Sequence, residues 1–437
     1  MILPDHVKKT IALIEANGYE AYVVGGCVRD SLLGLTPEDY DIATSAVPDE
    51  VKAALGSLPV YDTGLKHGTV TAVSDGVPID ITTFRVDGDY TDNRRPESVR
   101  FTRELRDDLS RRDFTVNAMA YSERTGIIDL FGGKADLENK IIRAVGDARA
   151  RFGEDGLRIL RALRFAAVYG FSLDEETAAA ARDLRGLTRK LSGERIAREL
   201  NKLILGKVSE IMTRFVGVFA EFIPEIAACE GFSQHSVYHD RDVLTHTLNA
   251  VDCAPADKIT RLTLLFHDMG KPSAFKLKNG RGSFKEHAEI SAEIARAALS
   301  RLKYDNHTAG KVTLLVREHD LPIHSDKKSV KRLLNLFGEE TFFRLIDVRI
   351  ADDTAKAEKY RSRVAEFGAA AETAREVIRG GECFSLKQLA VDGNDINALG
   401  YSGRETGRVL NRLLQAVISG KCENDKNALT EYLTNER

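Results

Sequence analysis

The sequence predicts an α+β fold: a small mixed head of strands and helices over residues 1–145, followed by a long all-helical body. Three observations carry this. Strand-like and helix-like patterns alternate only in the first third of the chain. From about Asp147 the apolar residues recur with the helical period of about 3.6 almost to the C-terminus. The histidines are crowded, eight of ten lying between His235 and His324, which marks a helical unit with chemistry of its own. A chain of 437 residues is too long for one core and implies several domains, with divisions expected at 1–145, 146–230, 231–365 and 366–437.

The elements follow in order. The opening MILPDHVKKTIALIEANG is an amphipathic helix with acidic residues inside it, unlike a signal or transit peptide. EAYVVGG is an apolar run ending in a glycine pair, VRDSLLG a short helix, DYDIAT a strand, and GVPIDITTFR a second strand with alternating character. FRVDGDYTDNRRPESVRFTRELRDDLS is polar and rich in turn dipeptides, and reads as a mobile loop over the pocket. Beyond it, GLRILRALRFAAV, ERIARELNKLIL, ITRLTLLFHDMG, ISAEIARAALSRL, VTLLVREHD and RVLNRLLQAVISG all fit the helical period. There is no internal repeat and no low-complexity segment.

Composition excludes some classes. With 43% hydrophobic and 30% charged residues the chain is ordinary for a globular protein. Its apolar runs are too short for a spanning helix, so no membrane partner is expected. Five cysteines without CxxC spacing predict reduced thiols in a cytoplasmic protein, with neither a disulfide framework nor a zinc knuckle. The net charge of −3 gives no global sign of nucleic acid, but Arg143 to Lys207 carries fourteen Lys/Arg against nine Asp/Glu. That local excess suits a phosphate-backbone footprint or, equally, a solvated helix face.

VVGGCVRDSLLG places Gly25 and Gly26 at a strand-to-helix junction, where backbone amides can face a triphosphate; Arg29 follows within reach of phosphate. Asp39 and Asp41, two apart in DYDIAT, point to one face of a strand. Two converging carboxylates repel unless a cation lies between them, and hard oxygen ligands suit Mg²⁺ with substrate phosphates. Asp80, flanked by Ile79 and Ile81, is either a buried-side third carboxylate completing a two-metal site or a solvent-facing residue of an edge strand. In EDGLRILRALRF, Asp155, Arg158 and Arg161 are spaced i, i+3, i+6 and would lie along one helix face beside a Leu157/Leu160/Leu163 stripe. A carboxylate beside a guanidinium offers an acceptor and a donor that match cytosine and adenine but not uracil or guanine; the plain alternative is a structural ion pair.

GGCVRD and DYD, then RRDFTVNAMA (111–120), DLFGGKADLENKIIR (129–143) and FGEDGLRILRALRFAA (152–167), occur in that order. Together they resemble the class II tRNA nucleotidyltransferase (CCA-adding enzyme) and bacterial poly(A) polymerase superfamily, within the polymerase-β-like nucleotidyltransferases. The resemblance covers about the first 205 residues and continues more weakly to the C-terminus. It implies that Asp39 and Asp41 hold Mg²⁺; Asp80, read from its strand as the third carboxylate, joins them in the expected catalytic set. It also implies that Gly25, Gly26 and Arg29 hold the triphosphate, and that Arg111, Arg112, Asp113 and Asn117 line the ribose and phosphate side. Asp155, Arg158, Arg161 and Arg164 would then choose CTP and afterwards ATP. The long polar loop argues against an enzyme adding only the final A. The implied partners are CTP, ATP and the tRNA 3′ end, engaged by residues 146–230 and by the tail from 366.

The region 231–365 resembles an HD-superfamily phosphohydrolase. His246, His267, Asp268 and Asp352 form the candidate metal set, for Mn, Ni, Co or Fe, accompanied by His287 and His319; Asp347 and Asp353 compete with Asp352 for the last position. The function implied is template-independent CCA addition to tRNA with release of pyrophosphate. The alternatives are CC addition, poly(A) synthesis, or an HD phosphohydrolase with a nucleotide-binding head. The absence of a long basic tail speaks against poly(A) synthesis, and the intact Asp39/Asp41 context against the phosphohydrolase.

Overall fold

The computed structural model describes residues 1–88, 98–234, 241–278, 281–356, 361 and 363–435. They form two compact units, one of residues 1–207 with 214–223 and the other of 208–213 with 224–437. No helix among the described residues is long and apolar enough to cross a membrane.

The first unit opens with the expected amphipathic helix, Asp5–Ala16, which buries Val7, Ile11 and Ile14. Its strands are β1 (Ala21–Val24), β2 (Ile42–Thr44), β3 (Val60–Gly64), β4 (Thr69–Ser74), β5 (Val77–Thr83), β6 (Arg85–Asp87), β7 (Val99–Phe101), β8 (Met119–Ser122) and β9 (Gly126–Asp129). Seven make one mixed sheet in the order β3-β4-β5-β2-β1-β8-β9. Only the β2–β5 pair in it is parallel. β1 is buried along its whole length, which explains its unbroken apolar run. β4 alternates half-buried and buried residues, as a strand covered on one face should.

Three local expectations change. Strand β2 begins at Ile42, so Asp39 and Asp41 lie in the segment leading into it. The polar loop has structure at its borders: β6 and β7 pair as a hairpin and Leu105–Ser110 is helical. Its central part, 89–97, lies outside the described residues. Third, EDGLRILRALRF is not one helix. A helix ends at Glu154, Asp155 is extended (φ −140°, ψ 106°), and a new helix runs Leu157–Tyr169. The Asp155 carboxylate accepts the Leu157 N–H at 3.0 Å, the competition with helix bonding that makes Asp-Gly a breaker.

The second unit is helical. Val243–Cys253, Lys258–Phe266, His287–Arg301, Asn306–Glu318 and Glu339–Ala355 are the helices that matter for chemistry. Asp242, Asp257 and Asp305 cap three of them, accepting the N–H of Thr245, Thr260 and Thr308 at 2.7, 2.9 and 2.8 Å, each worth about 1 kcal/mol. The C-terminal helices Arg404–Ile418 and Lys426–Asn435 bury Leu413, Leu414, Leu429 and Leu433 in a cluster of their own.

Candidate active sites

In the head, the Val24 N–H donates to Asp41 O at 3.0 Å and the Gly25 N–H to Met119 O at 3.1 Å. These bonds fix the point where β1 turns into the helix Gly26–Leu32. Gly25 has φ +78°, so the turn demands glycine for its conformation, and a Cβ there would lie 2.8 Å from Arg112 Nη1 and push that guanidinium aside. Ile42 pairs with Ile81 across β2 and β5. Their side chains are buried, which turns the preceding residues, Asp41 and Asp80, to the solvent face. Asp80 is therefore neither on the buried side nor on an edge strand, the two positions read from sequence: β5 lies between β4 and β2, and Asp80 is exposed, accepting from Thr71 Oγ1 at 2.5 Å. Desolvation and the carboxylates of Asp39 and Asp80 raise the Asp41 pKa against the pull of Arg112. Asp41 thus carries the opposed influence of two carboxylates and a guanidinium next to the glycine turn.

Behind them runs a chain of arginine pairs. Arg29 is buried and is spent within the protein. It donates to both Asp30 oxygens (2.8 and 2.9 Å) and to Asn117 Oδ1 (2.6 Å), and stacks on Phe165 and Tyr169. Asn117 donates to Asp113 Oδ1 at 3.0 Å, and Arg161 lies on Asp113 Oδ2 through Nε at 2.7 Å and Nη2 at 2.6 Å. Burial alone would raise the Asp113 carboxyl, but Arg161 and Asn117 hold it below the ordinary range. Arg111 and Arg112 converge on Asp108, which is fully buried. Asp155 accepts two bonds from Arg195 Nη2, at 3.1 and 2.8 Å. Arg158 holds Glu154 and Arg111 O, and Arg164 pairs with Glu199 at 2.7 Å.

The second unit gathers the histidines. His246 lies within a helix, while His267 and His319 close their helices and His287 opens one. Nδ1 of His267, His287 and His319 lies 2.7, 2.9 and 2.7 Å from the carbonyls of Leu264, Phe284 and Val316, each three residues back. A carbonyl only accepts, so Nδ1 donates to it and Nε2 is the nitrogen that faces inward. There the side chains form two close groups, His246/His267/Asp352 and Asp268/His287/His319, all buried. Asp352 is the carboxylate that meets His246, at 2.8 Å, whereas Asp353 turns to Lys356 at 2.5 Å. Burial favours a neutral His267, but Asp268 and Asp352 overcome it and push its pKa up to about 10. Gly270 of the HDMGK segment is required by close packing: a Cβ would lie 2.5 Å from His287 O. The site opens into a cavity of about 400 Å³ whose lining includes Lys271, Lys285 and Lys356.

Over residues 21–143 the sequence matches the family described as poly A polymerase head domain, over 170–229 that described as "Probable RNA and SrmB- binding site of polymerase A", and over 243–357 the HD domain. The CCA-adding enzyme of Levilactobacillus brevis is 34% identical over 439 residues, covering 98% of this chain and 97% of that protein. This chain belongs to the CCA-adding enzymes. That of Geobacillus thermodenitrificans is 52% identical over 196 residues, 45% of this chain and 48% of that one. A crystal structure of the Bacillus stearothermophilus CCA-adding enzyme in complex with CTP superposes with a TM-score of 0.73 at 28% identity, covering 100% of this chain and 98% of that one.

Within this CCA-adding enzyme family member Asp39, Asp41 and Asp80 are exposed, the charges of Asp39, Asp80 and Arg112 act on Asp41, and Arg112 lies against Gly25. Arg29, expected at phosphate, lies behind it as an internal brace. Asp155, Arg158 and Arg161 do not form one helical stripe; each has a separate partner. Asp108 and Arg195 escaped the sequence reading. The spacing of Asp108 four residues before Arg112 was the available signal for the first; Arg195 is joined to Asp155 only by the fold.

Proposed function

We propose that this chain rebuilds the 3′ end of tRNA, adding C, C and A from CTP and ATP and releasing pyrophosphate. The observation that carries this is the near-full-length kinship to a CCA-adding enzyme, in a chain whose exposed Asp41 and Asp80 precede the paired residues Ile42 and Ile81 next to the Gly25 turn. The carboxylates offer hard oxygen donors and mutual repulsion that a divalent cation relieves, so the residues fit Mg²⁺. Asp39 and Asp41 would hold it, with Asp80 beside them; when bound, it supplies charge neutralisation for the attacking 3′-hydroxyl and the leaving pyrophosphate.

The protein's own groups orient the reactants. Gly25 and Gly26 keep the turn bare of side chains so that a triphosphate can approach the backbone, and Arg111 and Arg112, anchored on Asp108, place positive charge beside it. Asp155, Arg158, Arg161 and Arg164 remain our base-reading set, with Asp113 holding the Arg161 guanidinium in plane. Arg29 and Asn117 we read as positioning residues for that set. CTP as a substrate is supported by the 28%-identical CTP complex. Residues 146–230 and the tail from 366 are read as the tRNA-engaging parts, and the cysteines, none disulfide-bonded, suit a reducing compartment.

The test is addition to tRNA lacking its last three nucleotides, with CTP and ATP supplied singly and together. Two C residues with CTP alone and CCA with both are expected. Long A tails on unrelated RNA would instead identify a poly(A) polymerase, and C addition that never acquires A a CC-adding enzyme. Asp41→Ala should lower addition by a thousandfold or more, on the order of 4 kcal/mol of transition-state stabilisation.

A second reading belongs to the helical unit: hydrolysis of phosphate esters at the His246/His267/Asp268/Asp352 metal set. It is favoured by the lysines lining the cavity next to the metal-type donors, a setting for an anionic ester. Imidazole and carboxylate donors suit Mn, Fe, Co or Ni.

A further inference from the structure

Three arginines of the first unit converge on one aromatic ring. Phe165 is 3% exposed and lies on the helix Leu157–Tyr169. The guanidinium carbon of Arg164 stands 3.8 Å from its ring centroid, that of Arg29 4.9 Å and that of Arg161 5.4 Å. All three fall within the roughly 6 Å over which a cation feels the negative face of an aromatic ring. Arg161 is four residues back on the same helix, whereas Arg29 comes from the helix Gly26–Leu32 that follows the glycine turn. Two further rings frame Phe165. Phe114 crosses it at 83° with centroids 5.7 Å apart, and Tyr169 stacks at 5.9 Å.

Each guanidinium has a carboxylate beside it: Asp30 for Arg29 at 2.8 Å, Asp113 for Arg161 at 2.6 Å and Glu199 for Arg164 at 2.7 Å. Three like charges nevertheless crowd around one ring. Burial lowers the Arg164 pKa, and the charges of Arg161 and Arg29 lower it further against the pull of Glu199. Core packing explains why residue 165 is apolar, but a leucine would fill the volume and offer the cations nothing. An aromatic face attracts each of them and offsets part of their mutual repulsion. The ring also joins two working parts of the site. Arg161 and Arg164 belong to the base-reading set, while Arg29 braces the glycine turn through Asn117 and Asp30.

We propose that Phe165 is a positioning residue for nucleotide choice: its ring gathers Arg161 and Arg164 by cation–π attraction and so sets the geometry in which they read cytosine and adenine. The proposal rests on the base-reading role given to those arginines above and adds the group that aligns them. The electron-rich face of the ring, and not its bulk, is what the alignment needs.

The test uses the full-length chain with Phe165 replaced by mono-, di- and trifluorinated phenylalanine, which keep the shape of the ring while progressively draining its face of negative charge. Addition to tRNA lacking its last three nucleotides is measured with CTP and UTP in competition, and addition to tRNA ending in CC with ATP and GTP in competition. Discrimination should fall stepwise along the series, by about tenfold with the trifluorinated ring. A ring that only fills space would leave both ratios unchanged, because the series conserves shape. Phe165→Leu should lose discrimination at least as far, with circular dichroism checking the fold; should that variant fail to fold, the fluorinated series decides alone. Arg161→Gln with Arg164→Gln separates the proposal from the reading beneath it. If that pair loses discrimination while the fluorinated series keeps it, the positioning role of Phe165 is overturned and base reading stands. If the pair itself keeps discrimination, both are overturned. A folded Phe165→Leu chain that discriminates as the parent does overturns the positioning role as well.

Discussion

Replacing Asp113 by Asn tests whether the arginine chain of the head supports the base-reading face. The substitution keeps the shape and leaves Oδ1 able to accept the Phe114 N–H and the Asn117 amide, now at 2.9 and 3.0 Å. At Oδ2 it sets an NH₂ group against Arg161 Nε and Nη2, which lie at 2.7 and 2.6 Å, so donors face donors. Removing one partner of a buried ion pair typically costs about 3–5 kcal/mol. The Arg161 side chain is 34% exposed against 9% for Asp113, so solvent screening places the expected loss near the lower end, about 3 kcal/mol. For a unit of this size that is roughly 6–12 °C in melting temperature. Scanning calorimetry should show the shift in one transition of the two-unit chain. Arg161, released from its plane, should also read bases poorly: KM for CTP and ATP should rise about tenfold or more, in line with loss of a charge-assisted hydrogen bond of roughly 1.5–3 kcal/mol. A melting shift below 2 °C with unchanged KM for both nucleotides would refute the positioning role.

Further expectations follow from the same contacts. Gly25→Ala places a methyl group against Arg112 Nη1 at φ +78°, ψ −125°, a sparsely populated conformation costing about 1–3 kcal/mol; KM for both triphosphates should rise, and unchanged KM would argue against the turn as the triphosphate site. His267→Ala should leave C and A addition within a factor of two while removing metal from the helical unit, measured on the same preparation. Asp108 and Asp113 have carboxyls held below their ordinary values, burial opposing and the arginines prevailing. Their stabilisation is therefore complete above the unfolded carboxylate pKa of about 3.9 and is lost as pH falls through the lower folded values. Urea midpoints should stay level from pH 7 to 5 and drop steeply below 4 in the parent, and the drop should shrink in Asp113→Asn.

The sequence made the head's chemistry legible because its donors are local to motifs. Asp39 and Asp41 are two residues apart, the glycine pair is contiguous, and β2 and β5 are apolar enough that their register follows from burial; Asp80 then has one face to occupy, although sequence could not say that β5 lies inside the sheet. The helical period failed at Asp155 because periodicity sees side-chain patterning and not the competition of an Asp carboxylate for the amide of Leu157. That single break changes the base-reading argument. On one helix Asp155 and Arg158 would have been partners; across the break, Asp155 turns to Arg195, forty residues on, and Arg158 to Glu154. The histidine unit shows the complementary case. HD at 267–268 announces itself, but the meeting of Asp268 with His287 and His319 depends on one helix beginning at His287 and another ending before His319, so that two imidazoles far apart in sequence stand 3.3 Å apart. Each of those ring orientations is set by a carbonyl three residues upstream. The inward turn of these rings is thus built from local bonds, and only the meeting of the helices had to come from the fold.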